Sequence, residues 1–112
     1  MDINFVGTIV CGSTPTHTYT IPSDVAPIAD LRISYGQDYK ELVTKTLKDC
    51  TIDGQDISVT LSQEDTLKFD RRIQVAQAQL RILTTGNEVL TSDHLYLQVS
   101  PCLNSEVLQY EG

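Results

Sequence analysis

The sequence predicts an all-β domain, an antiparallel β-sandwich of about seven to eight strands. Three observations carry this expectation. Apolar and polar residues alternate with a period of two in run after run. Turn-forming residues separate the runs at roughly 8–12 residue intervals. No stretch has the three-turn amphipathic spacing of a packed helix.

In order, Ile3, Phe5 and Gly7 alternate with Asn4, Val6 and Thr8 and give a first strand. Thr16, Thr18 and Thr20 alternate with His17, Tyr19 and Ile21, so this strand has a threonine face and a more apolar face, bracketed by Pro15 and Pro22. Leu31, Ile33 and Tyr35 alternate with Asp30, Arg32 and Ser34. Gly36-Gln37-Asp38 predicts a turn, and 39–46 its hairpin partner. The β-branched content favours strand there, over a loose helical spacing of Leu42, Val43 and Leu47. A short strand over 49–52 precedes Asp53-Gly54, a hairpin signal, answered by Ile57, Val59 and Leu61.

Ser62-Gln63-Glu64-Asp65 fits the S-x-x-[DE] capping box that starts a short helical turn, after which Leu67 and Phe69 fold back onto the core. A long strand over about 72–84 follows. Its parity slips between Ile73/Val75 and Leu80/Ile82, which predicts a one-residue bulge at Ala76-Gln77-Ala78-Gln79. Gly86-Asn87 makes the next turn, and Leu95, Leu97 and Val99 mark the last strand. The expected organisation is one domain over 1–101 and a C-terminal tail over 102–112, ordered against a partner.

With 112 residues the chain has room for one domain, and 40% apolar content suits a globular core. A net charge of −7 with eight scattered Lys and Arg argues against nucleic acid, whose binding depends on cations replacing counterions. No run approaches the roughly 18 apolar residues of a membrane span. The N-terminus lacks a basic segment followed by an apolar one, so no signal peptide is expected. The expected location is the cytosol, with incorporation into a larger particle the route out.

The three cysteines, Cys11, Cys50 and Cys102, are widely spaced and form no CxxC pair, so they read as small apolar residues or quiet thiols. His17 and His94 lack metal-pair spacing. No nucleophile elbow or phosphate loop occurs. Asp53-Gly54-Gln55-Asp56 lacks the order of a calcium loop and is explained by turn chemistry. The expectation is no enzyme, no cofactor and no metal. Tyrosine, with five copies, outnumbers Phe and Trp together, which suits contact surfaces as well as strand faces.

The run Leu61-Ser62-Gln63-Glu64-Asp65-Thr66-Leu67-Lys68-Phe69 resembles the turn before the penultimate core strand of immunoglobulin variable domains, where L-x-x-E-D-T precedes an aromatic. The chain has no Trp and no cysteine in register after this run, so the resemblance is local and implies an immunoglobulin-like sandwich without the disulfide-and-tryptophan core. A wider resemblance covers most of the chain. Residues 14–19, 33–37, 48–54, 59–69, 79–84 and 103–108 look like a family of small proteins encoded in prophages and phage-like elements of Firmicutes, commonly near tail genes. The family brings no active-site residues with it.

That resemblance implies a phage structural protein, a tail- or baseplate-associated assembly or binding domain. Its expected partners are other tail or baseplate proteins or further copies of itself. The expected contact residues are Thr16, Thr18 and Thr20 on one strand face and Leu103, Val107 and Leu108 in the tail. The alternative class is a carbohydrate- or surface-binding sandwich module. An enzyme using His17 or His94 is the third.

Overall fold

The computed structural model describes residues 1–110. Ten strands are present: β1 Asn4–Val6, β2 Ile9–Val10, β3 Thr16–Thr20, β4 Ile28–Gln37, β5 Lys40–Thr46, β6 Cys50–Asp53, β7 Asp56–Thr60, β8 Val75–Thr84, β9 Val89–Thr91 and β10 Leu95–Ser100. A tight helical turn, Leu47–Asp49, joins β5 to β6, and the helix α1, Gln63–Leu67, follows β7. One sheet has the order β1-β3-β7-β6 and the other β2-β10-β8-β4-β5, with β9 also on β8. In immunoglobulin-like sandwiches, strands A, B, E and D share one sheet and C, F and G the other. Here β1, β3, β7 and β6 form the first set, and β4, β8 and β10 lie together in the second.

The core between the sheets follows from the period-two pattern. Tyr19 and Ile21, then Leu31, Ile33 and Tyr35, then Ile57, Val59 and Leu61, and finally Leu97 and Val99 are all buried. The strand count exceeds the expected seven to eight for local reasons. The first predicted strand forms as β1, paired antiparallel with β3, and the chain then crosses at Gly7 and Thr8 into β2, which was not expected and pairs parallel with β10. Gly7 is where it crosses because a Cβ there would collide with the His17 ring. The expected last strand forms as β10, and a further short strand, β9, precedes it along the same edge of β8.

The bulge expected at residues 76–79 is corrected. Ala76, Ala78, Leu80 and Ile82 face inward without a break, and β8 pairs with β4 in continuous register from Gly36↔Gln77 to Asp30↔Leu83. The two alanines are core residues because the bulky Tyr35 is the direct cross-strand neighbour of Ala78, and small beside large fills the layer. The irregularity lies on the partner strand. Arg81 pairs with Thr91 but Ala78 with Leu95, so three steps on β8 face four on β9–β10. Ser92 occupies the break: its backbone N–H donates to the Leu80 carbonyl at 2.8 Å, and its hydroxyl accepts from the Leu80 N–H at 3.0 Å.

The turn expected at Gly36-Gln37-Asp38 lies further along the chain, centred on Asp38-Tyr39. Gln37 pairs with Lys40, and Asp38 and Tyr39 form the two-residue loop with φ of 50° and 60°. Both central residues in the left-handed region define a type I′ hairpin. Gly36 is needed for another reason, since a Cβ there would strike the Lys40 carbonyl oxygen beside the β4–β5 register shift. Gly36→Ala is expected to cost about 1–3 kcal/mol, because backbone cannot give way as a side chain can. A urea midpoint equal to that of the parent would contradict this reading of Gly36.

The capping box forms as read. The Ser62 hydroxyl accepts from the Asp65 N–H at 3.0 Å and the Asp65 carboxylate accepts from the Ser62 N–H at 2.9 Å. Phe69 is buried, and Thr66 ties α1 to the β2–β3 connection through Gly12 N–H and Ser13 carbonyl. Gln37 closes the same end of the sandwich, its side-chain amide bonding the backbone of Asp70 and Ile73. Among the described residues, no helix is long and apolar enough to cross a membrane.

Candidate functional site

The two histidines lie in opposite environments. His17 is fully buried, with 0% exposure, on the inner face of β3. Its Nε2 lies 2.8 Å from the Thr8 carbonyl, which can only accept, so Nε2 carries the proton. Nδ1, 2.8 Å from the Tyr35 hydroxyl, therefore accepts from it. The Tyr19 hydroxyl in turn donates to Tyr35 at 2.7 Å. This ordered chain, Tyr19 to Tyr35 to His17 to Thr8, links β3 to β4 across the core. Burial pushes the His17 imidazole below its usual range, although its Thr8 bond opposes this. The network cements the two sheets and offers no surface to a substrate.

Thr16, Thr18 and Thr20 face outward on the four-stranded sheet, as the alternation predicts. Each meets a hydroxyl or carboxylate directly across on β7: Thr16 with Thr60 at 2.8 Å, Thr18 with Ser58 at 3.2 Å and Thr20 with Asp56 at 2.7 Å. The face is a cross-strand ladder whose polar groups bond each other. The cysteines are free thiols. Burial, and then the neighbouring Cys102, raise the Cys11 thiol above its ordinary value. Among the described residues, no group of three or more His, Cys, Asp or Glu side chains is placed to hold a metal ion.

The tail leaves β10 as a segment without regular secondary structure. Its residues 111–112 lie outside the described residues. It runs along the α1 end of the sandwich, held by polar groups. Arg71 donates to the Cys102 carbonyl at 2.6 Å, and the Gln63 side-chain amide bonds both the N–H and the carbonyl of Leu108, at 2.8 and 2.9 Å. Leu103, Val107, Leu108 and Tyr110 are exposed, Leu108 at 73% and Tyr110 at 96%. Of the six residues read from the sequence as contact candidates, the structure places the three threonines on the outer face of the four-stranded sheet and the three apolar ones along the arm.

A second surface was not read from the sequence. The break at Ser92 turns His94 to the outside, beside the type I′ turn, where its ring meets Tyr39 edge-on at 5.3 Å. Tyr39 and Tyr96 are 68% and 60% exposed, and their hydroxyls lie 3.2 Å apart. Next to this aromatic corner is a shallow cavity of about 290 Å³ whose lining includes Ser34, Gly36, Gln77, Gln79 and Arg81. Gln77 accepts from the Tyr39 N–H and Gln79 donates to the Ser92 carbonyl, so each amide keeps one polar atom without a partner among the described residues.

Fold and surfaces together define an immunoglobulin-like β-sandwich with a buried histidine–tyrosine network, an apolar arm and an aromatic-polar corner. No protein-family model matches this sequence, and no curated protein matches it.

Proposed function

We propose that this chain is a non-catalytic assembly domain of a phage tail or baseplate, which docks through its C-terminal arm onto a second copy of itself. The observation that carries the reading is the arm: its backbone is held by polar bonds from Gln63 and Arg71 while Leu103, Leu108 and Tyr110 point away from the domain. An apolar segment whose backbone is already held at the surface loses less chain entropy on docking and gains what burial of its side chains supplies. The resemblance of residues 14–19, 33–37, 48–54, 59–69, 79–84 and 103–108 to tail-region prophage proteins supports the same class. Closed symmetry is the usual arrangement of such self-docking parts.

The platform beneath the arm is rigid. The capped helix α1, Thr66 on the β2–β3 connection and Gln37 on the 70–73 loop fix the surface from which Gln63 and Arg71 reach the arm. A chain ending at Pro101 is expected to keep the circular dichroism and melting temperature of the parent while losing its self-association. Assembly that survives this truncation unchanged would remove the arm from the mechanism.

A further inference from the structure

We propose that the Tyr39–His94–Tyr96 corner and the adjoining cavity form a saccharide-binding site, specific for an uncharged pyranoside. This surface is separate from the arm, and the inference stands apart from the docking role.

Two independent features point to a ligand. The first is where Tyr39 sits. The second central position of a type I′ turn favours glycine or asparagine, yet at a φ of 60° the chain places a tyrosine. Its ring is 68% exposed, so core packing does not account for it. Strain retained without burial is typical of a side chain kept for contact. The second feature is the mixture of groups. The exposed rings present apolar faces to stack on the C–H face of a sugar, and the paired hydroxyls of Tyr39 and Tyr96 fix their spacing. Around them the Gln77 amide nitrogen, the Gln79 carbonyl oxygen, Ser34 and Arg81 supply hydrogen-bond donors and acceptors.

The same composition argues against other occupants. A protein interface core sheds charge, whereas Lys40, Glu41 and Arg81 all border this cavity. Charges of both signs do not select an anion. At about 290 Å³ the cavity falls just below the range for drug-sized ligands, roughly 300–1,000 Å³, which suits one or two sugar rings.

The test is a titration of the intact, isotopically labelled protein with glucose, galactose, rhamnose, N-acetylglucosamine and maltose, followed by amide nuclear magnetic resonance. The expected result is saturable shifts for at least one sugar, centred on Gln77, Gln79, His94 and Tyr96. Tyr96→Ala is expected to weaken that binding roughly ten-fold or more. Tyr39→Asn, which suits the left-handed turn, is expected to weaken it similarly while leaving the melting temperature equal or higher. No saturable shift with any of the five sugars would overturn the proposal. So would shifts that map to another surface, or shifts at the corner that follow protein concentration alone and mark it as a protein contact.

Discussion

Asp65→Ala is expected to lower the unfolding free energy by about 3–5 kcal/mol, a large part of the roughly 5–15 kcal/mol of a typical domain. Lys45 lies on the inward side of β5, opposite Ile33, and its ammonium meets the Asp65 carboxylate at 2.6 Å with both side chains largely shielded. Removing the carboxylate leaves a shielded ammonium without its counter-charge and also deletes the acceptor of the capping box at Ser62. Replacing both partners with apolar residues, as Lys45→Met with Asp65→Leu, is expected to cost less than the sum of the single changes, because no charge is then stranded.

The pH dependence of this pair has a definite sign. Burial alone would raise the Asp65 carboxyl, but the Lys45 bond and the Ser62 contacts outweigh it and hold the group below the usual carboxylate range. The folded state therefore binds its proton more weakly than the unfolded chain. The stabilisation is complete above the unfolded value of about 3.9 and is lost as pH falls below it. Acid titration of the denaturant midpoint reads this directly, and Asp65→Ala should flatten that limb.

The second large effect belongs to the buried network. His17→Leu is expected to cost about 2–6 kcal/mol, because it strands the Tyr35 hydroxyl donor and the Thr8 carbonyl, each worth about 1–3 kcal/mol when buried unpaired. Tyr35→Phe strands His17 Nδ1 and the Tyr19 hydroxyl instead, and the two changes together should be clearly non-additive. The folded imidazole is held below its ordinary value of about 6.5, so the unfolded chain takes up a proton first. Stability is then expected to fall as pH drops below about 6.5, by up to about 1.4 kcal/mol per pH unit, until the folded group titrates. Loss of this limb in His17→Leu, with the carboxylate limb retained, would assign it to His17. An identical profile in parent and variant would refute the assignment.

The strands were legible where alternation is strong, as at Leu31/Ile33/Tyr35, Ile57/Val59 and Leu97/Val99, because a half-buried strand imposes its period directly on composition. The α1 cap was legible because Ser62 and Asp65 carry it within four residues. Ala76 and Ala78 were misread because alanine carries little hydrophobic signal of its own. Their burial follows from the bulk of Tyr35, set beside Ala78 only once β4 pairs with β8. The Gly36 turn was misplaced because glycine serves a close approach as often as a turn.

Sites made across strands were harder to read. The threonine face and the arm follow from local parity and end position. The pairing of His17 with Tyr35, of Lys45 with Asp65 and of Tyr39 with His94 joins residues whose neighbourhood depends on strand order. The one available signal for the aromatic corner was Asp38-Tyr39 where a hairpin ordinarily has Asn-Gly.

The docking account is tested most directly by the solution mass of the 112-residue chain, measured by size-exclusion chromatography with light scattering over a wide concentration range. The account predicts a discrete closed oligomer whose population grows with concentration. A mass equal to one chain, 12.4 kDa, at every concentration would contradict it.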